Sequence, residues 1–181
     1  QAVEHNLKVF SQHLHHPTQI IAVIKASAYG SGSEELARFL EFKKVAYLAV
    51  AFIDEGVQLR KSGVLLPIII LNPDRNGVMD MIKYDLEPEV YSVEQLEEIV
   101  SLLVDKKNGK FNIHIKLDTG MHRLGFMAGD WEQLCDILID NEKHIQFTDV
   151  PNELIHQNLK MLCEKGNKVI LRIPLIPEIT D

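Results

Sequence analysis

Residues 20–40 read IIAVIKASAYGSGSEELARFL, and the order of patterns inside this stretch decides the fold. Ile20–Lys25 is an apolar run of strand length that ends in a single cation. The turn Tyr29-Gly30-Ser31-Gly32 follows, and then helical period with Leu36, Ala37 and Leu40 on one face. Ser33 can cap that helix, and Glu34 and Glu35 stand in its first turn, where the helix dipole favours negative charge. A strand, a glycine-bearing turn and a helix in this order make one βα unit. The same alternation continues downstream. Strand Ala46–Val50 leads to a helix over Asp54–Lys61 that stops at Gly63, and strand Pro67–Leu71 leads through Asn72-Pro73-Asp74 to a helix over Val78–Lys83. A short strand Glu89–Tyr91 precedes the helix Ser92–Val104, with Val93, Leu96, Ile99, Val100 and Leu103 on one face. The turn Lys107-Asn108-Gly109 feeds a fifth strand, Phe111–Leu117. Upstream, Gln1–Leu14 has the spacing of an amphipathic helix through Val3, Leu7, Val9, Phe10 and Leu14. Five βα units in about 120 residues predict α/β architecture with parallel strands, a barrel of the TIM type rather than an open sheet.

Composition narrows the function classes. The chain has 181 residues, 46% hydrophobic and 25% charged, enough to bury a core and too apolar for global disorder. Its 19 Lys+Arg against 26 Asp+Glu give a formal charge of −7, so no basic stripe awaits phosphates and nucleic acid is not an expected partner. No apolar run approaches the ~18–20 residues that span a bilayer, so no membrane partner is expected. Cys135 and Cys163 supply neither a disulfide framework nor a thiolate cage, and a reducing cytoplasm is the expected compartment. The chain begins at Gln1 without a methionine, already inside a helix pattern, and reads as a piece cut from a longer polypeptide. A closed eightfold barrel takes ~250 residues. The expectation is therefore a partial barrel with five to six of the eight βα units.

Three strand ends carry candidate chemistry, because barrel enzymes work at the C-terminal ends of their strands. Lys25 closes an apolar strand, where lost hydration favours the neutral amine that attacks aldehydes. The alternative is a lysine that merely snorkels out at a strand end. The Tyr29–Ser33 turn offers amides and hydroxyls at a helix start, a pattern suited either to an anion or simply to chain reversal. It is not a Walker loop, since no Gly-Lys-Ser/Thr follows. In Lys116–Phe126, Lys116, Asp118, His122 and Arg123 crowd one strand end, and Gly120 and Gly125 allow tight backbone. The fork of Arg123 can clamp a carboxylate or phenolate, or the cluster is a surface ion-pair group. Of eight histidines, His13, His15 and His16 surround a helix end and His144 and His156 stand in polar contexts. They read as mostly solvated, no HExxH occurs, and no metal is expected.

Taken together, IAVIKASAYGSGSEELARFL, LAVAFIDEGVQLRKSG and IHIKLDTGMHRLGF resemble, in order and spacing, the N-terminal barrel of the alanine racemases. The resemblance covers about Ala2 to Phe126. LEPEVYS and the serine at position 31 resemble most the racemase half of bacterial fusions with a muramoyl-tripeptide ligase. The resemblance implies pyridoxal 5′-phosphate as cofactor and Lys25 as its Schiff-base lysine and one of two bases. It implies Tyr29 at the cofactor phosphate and Arg123 near the phenolic oxygen and the substrate carboxylate. Lys116 matches a lysine that many members carbamylate to orient that arginine. The second base of the family is a tyrosine from the C-terminal domain of a partner subunit, so the parent enzyme is expected to be a homodimer. The implied function is interconversion of L- and D-alanine for cell-wall precursors; the alternative is a catalytically silent cofactor carrier or a chimeric scaffold.

The likeness to racemases is expected to stop near residue 138, giving units at 1–138 and 139–181. The second unit, with NELI and RIPLIP, resembles the glycyl-radical-enzyme activating proteins, whose strand end would place Arg172 and Pro174 near S-adenosylmethionine. The cluster motif CxxxCxxC is absent from the sequence, so no iron-sulfur cluster is expected. A helix Asn152–Lys165 stopped by Gly166 and a strand Lys168–Ile173 are expected to form one more βα-type unit that continues or packs on the same barrel.

Overall fold

The computed structural model describes residues 2–15, 18–103, 111–130, 133–134, 137 and 170–175. The expected turn Lys107-Asn108-Gly109, the helix Asn152–Lys165 with Gly166, and both cysteines lie outside the described residues. Five strands form a parallel sheet in sequence order: β1 (Ile21–Val23), β2 (Tyr47–Val50), β3 (Ile68–Ile70), β4 (Leu86–Val90) and β5 (Phe111–Lys116). The helices α1 (Ala2–Gln12), α3 (Ser33–Phe42), α4 (Ile53–Lys61), α5 (Val78–Lys83) and α6 (Val93–Leu103) fall where the apolar periods place them. A helical turn, α2 (Lys25–Tyr29), stands between β1 and α3.

Parallel register aligns Leu48 with Ile68 and Ile68 with Leu86, while Val90 aligns with Ile115. Side chains alternate across a sheet, so Leu48, Val50, Ile68, Ile70, Leu86, Val90, Ile113 and Ile115 share the face that the helices cover. All eight are fully buried, each worth ~1.5–3 kcal/mol relative to exposure. Gly56 lets α4 lie directly on this face, because a Cβ there would stand 2.9 Å from Ile70 Cδ1. The opposite face carries Tyr47, Glu87, Glu89, Asn112, His114 and Lys116. One side of the sheet is a hydrophobic core; the other mixes apolar Ala49 and Ile69 with the buried, partnered Glu87, Glu89 and His114.

Three differences from the expected elements have physical causes. β4 runs Leu86–Val90 and takes in Glu87 and Pro88, which the expected strand Glu89–Tyr91 left outside. Ile70 partners Pro88 in the register, and the two acids find cations and donors on β5. The tail strand β6 (Ile170–Leu175) does not extend the parallel barrel: it pairs antiparallel with β5, from Lys116↔Ile170 to Phe111↔Leu175. Its start faces the end of β5, so the chain runs straight back along that strand and needs no crossover. Arg172 and Pro174 stand in register with His114 and Asn112. Finally, α1 forms as expected but buries none of its residues fully; Val3 and Phe10 remain exposed and Leu7 alone packs against the core. Glu4 on α1 pairs with Lys43 at the end of α3.

Candidate active site

In a parallel sheet all C-terminal strand ends lie along one edge, so the segments after β1 and β5 share that edge. The segment after β1 is unusual. Ala26, Ser27, Ala28 and Tyr29 have φ of 53°, 51°, 54° and 55°, so α2 is a left-handed turn built without glycine. Each such residue costs roughly 1–2 kcal/mol relative to the right-handed form. The turn is tied internally: Ala28 N–H donates to Ile24 O at 3.0 Å and Gly32 N–H to Ser27 O at 3.0 Å. Gly30 and Ser31 also donate within it, so these amides are engaged within the chain reversal.

One side chain fastens this turn from outside. Glu55, third residue of α4, accepts from Ala26 N–H at 2.6 Å through Oε1, and from Ala51 N–H at 2.8 Å and Phe52 N–H at 3.1 Å through Oε2. Lys25 emerges half-buried beside the buried Ile24, and Tyr29 is 68% exposed on the same turn.

At the other end of the strand order, Lys116 Nζ donates to Glu89 Oε2 at 2.8 Å, with the Glu89 side chain 8% exposed. Deeper on the polar face, Glu87 accepts from Asn112 Nδ2 at 3.0 Å and pairs with His114 Nε2 at 2.7 Å. The ring of Tyr47 meets the His114 ring edge-on, with centroids 5.7 Å apart. His114 is therefore buried and partnered, unlike the solvated histidines the sequence led us to expect.

The loop after β5 is pinned by Asp118. Its Oδ1 accepts from Gly120 N–H and His122 N–H, both at 3.0 Å, and its Oδ2 lies 3.1 Å from His122 Nδ1. These amide bonds, His122 first and Gly120 second, hold the Asp118 carboxyl below its ordinary range. A bridge between Leu117 and Phe126 closes the loop, with Asp118 N–H donating to Phe126 O at 3.0 Å and Phe126 N–H to Lys116 O at 2.9 Å. Arg123 rides exposed on this loop.

Lys25 and Tyr29 thus lie on the segment after β1, and Lys116 and Arg123 lie at the end of β5 and on the loop after it, along one edge of the sheet. Among the described residues no hydrogen bond or ion pair joins the two groups. Sequence reasoning missed Glu55, Glu87 and Glu89. A glutamate at the third position of a helix is a known signal for a bond back to the N-cap amide; the two strand acids gave no comparable signal.

Comparison with known proteins identifies the family. Residues 1–151 match the alanine racemase N-terminal domain, which runs past the boundary expected at 138. An alanine racemase of Sorangium cellulosum is 38% identical over 136 residues, covering 72% of this chain and 36% of the relative. An amino-acid racemase of Enterococcus faecalis is 35% identical over 170 residues, covering 82% of this chain and 23% of the relative. The chain thus spans about a third or less of the length of these curated relatives. An alanine racemase of Clostridium difficile 630, solved in complex with cycloserine, superposes with a TM-score of 0.68 at 30% identity, over 91% of this chain and 50% of that one. A Bartonella henselae alanine racemase with covalently bound pyridoxal phosphate shares the fold at a TM-score of 0.67 and 24% identity, over 91% of this chain and 51% of that one. With residues 1–151 of its 181 matched by the family domain and a parallel sheet beneath them, the chain belongs to the alanine racemase N-terminal domain family.

Proposed function

We propose that this chain is the cofactor-carrying barrel part of a pyridoxal 5′-phosphate-dependent racemase that interconverts L- and D-alanine. The observation that carries the reading is the placement of Lys25–Tyr29 and Lys116–Arg123 on one edge of a five-stranded parallel sheet. The donor chemistry fits that cofactor. Lys25 offers a half-buried amine, Tyr29 an exposed phenol toward a phosphate, and Arg123 an unshielded planar cation toward a phenolate or carboxylate. When bound, the cofactor supplies an electron sink for negative charge at the substrate Cα. The protein's own task is to hold and move protons: the Lys25 amine takes or returns the Cα proton on one face, while Arg123 orients the carboxylate. Inversion needs a second base on the opposite face. In this reading a partner subunit supplies it, within a cytoplasmic homodimer whose full-length parent carries the ligase fusion. Among the described residues no helix is long and apolar enough to cross a membrane.

Borohydride reduction in the presence of pyridoxal 5′-phosphate tests the first half of the reading. Intact mass should rise by one pyridoxyl phosphate group, and Lys25→Ala should abolish the gain. D-alanine formation from L-alanine by the full-length parent, which supplies the second base, tests the second half, and a rate no faster than free cofactor would reject it. Trapping without turnover in that full-length protein would instead favour the silent carrier. Radical chemistry is not proposed for the 139–181 segment.

A further inference from the structure

We infer that Glu55 is a positioning residue for Lys25: its carboxylate fixes the left-handed turn that begins at that lysine, and so sets where the amine sits. The inference rests on the cofactor reading for its consequence, and on geometry alone for its mechanism. A left-handed turn, like any helix, starts with amides that have no partner inside it. Ala26, directly after Lys25, has such an amide, and no carbonyl of the turn can reach it. Glu55 Oε1 takes it at 2.6 Å. The same carboxylate holds Ala51 N–H at 2.8 Å and Phe52 N–H at 3.1 Å, at the C-terminal end of β2. β2 is the neighbour of β1, to which it is bonded through Ile24 N–H to Ala49 O at 2.8 Å. One anion thus ties the ends of two adjacent strands and the first residue of the strained turn to the start of α4. Four consecutive non-glycine residues at φ 51–55° persist only where their surroundings over-determine them. Glu55 is half-buried and a charged acceptor, which makes its bonds to amides stronger than neutral ones.

The test uses the full chain and two readouts. Amide exchange at Ala26 is measured in the wild type, in Glu55→Ala, in Glu55→Gln and in Arg60→Lys, the last weakening a distant set of carbonyl contacts. Loss of one charge-assisted bond predicts at least about tenfold faster Ala26 exchange in Glu55→Ala. Glu55→Gln should fall between, because only one of its two terminal atoms can accept. Arg60→Lys should leave Ala26 unchanged, which separates positioning from general destabilisation. In parallel, titration with pyridoxal 5′-phosphate followed by borohydride trapping should show about tenfold weaker apparent affinity in Glu55→Ala, and none of that loss in Arg60→Lys. Ala26 exchange within twofold of wild type in Glu55→Ala, or equal loss of trapping in Arg60→Lys, overturns the inference. A wild type that never traps the cofactor overturns the proposed function instead, while Ala26 exchange still decides the role of Glu55.

Discussion

Replacing Gly125 by alanine should open the loop that carries Arg123. Gly125 has φ +135°, and an added Cβ would stand 2.5 Å from Asp118 N, 2.7 Å from Leu117 C and 3.1 Å from Asp118 Cα. All three neighbours are backbone, so no side chain can swing away. Relief requires the two arms of the loop to part, which breaks the pair of bonds across the Leu117–Phe126 bridge. Those two bonds contribute about 1 kcal/mol each, and holding a Cβ-bearing residue in this backbone region adds about 1–3 kcal/mol. A cost of roughly 3–5 kcal/mol follows, against the ~5–15 kcal/mol total stability of an ordinary domain. The assay is urea unfolding together with amide exchange at Phe126, whose N–H closes the bridge. Gly129→Ala is the control, since a Cβ there meets nothing within 4 Å. If the whole domain absorbs the strain the midpoint falls; if the loop alone yields, Phe126 loses protection while the midpoint holds. A variant whose midpoint and Phe126 protection both match the wild type would refute the reasoning.

Four further outcomes are expected. Arg60 donates to the carbonyls of Tyr84, Val64, Leu66 and Asp85 at 2.6–2.9 Å, and burial pushes its pKa below the usual arginine value. Arg60→Lys, unable to fork across them, should cost about 1.5–3 kcal/mol in urea titration. Because Asp118 is held below its ordinary range in the folded state, its contribution is complete above the unfolded pKa of about 4 and is lost as pH falls toward the folded value; Asp118→Asn should flatten this acid limb in midpoints measured against pH. Ala26→Gly, at φ 53°, should leave stability unchanged or raise it by up to about 1 kcal/mol, whereas Ala37→Gly, 0% exposed within α3, should cost about 1–2 kcal/mol; equal losses at both sites would contradict the left-handed turn. Carbamylation of Lys116 would set a second anion against Glu89, 2.8 Å from the present ammonium, so carbon-13 bicarbonate should label Glu89→Gln more strongly than wild type in NMR spectra.

The parts of the fold that were legible share a local cause. Apolar runs such as Ile68–Ile70 and helical periods such as Leu36, Ala37 and Leu40 are written within a few residues, and the observed elements fall on them. Lys25 follows β1 and Arg123 lies on the loop after β5, positions that the turn residues beside them mark locally. Glu87 and Glu89 carry no such local mark. Their burial depends on Asn112, His114 and Lys116, which lie 25 to 27 residues further along and meet them only through the β4–β5 register. A period argument starts the strand at Glu89 and leaves Glu87 and Pro88 outside it; the sheet takes in both acids as compensated charges. The direction of β6 was hidden for a similar reason, because a strand pattern has no polarity and its antiparallel pairing follows from where the chain re-enters the sheet edge.

The two site loops, unrelated in sequence, are stabilised by the same device. The Lys25 turn holds four left-handed residues, and the Arg123 loop holds His122 at φ 53° between Gly120 and Gly125, both at positive φ. In each, one carboxylate collects three donors: Ala26, Ala51 and Phe52 amides on Glu55, and the Gly120 and His122 amides with the His122 ring on Asp118. Strain of about 1–2 kcal/mol per left-handed residue is of the same order as the ~1.5–3 kcal/mol that a hydrogen bond to a charged group contributes. Ala28 in the turn and Phe126 in the loop bury into the core, while Tyr29 and Arg123 stay exposed toward whatever binds at the sheet edge. The consequence is directional. Changes at Glu55 should disturb the Lys25 turn without loosening the Arg123 loop, and changes at Asp118 should do the reverse, because among the described residues no bond connects them. Amide protection at Ala26 and Phe126, followed in Glu55→Ala and Asp118→Asn, would show two independent losses; coupled losses would mean the edge behaves as one unit and the two carboxylates do not act locally.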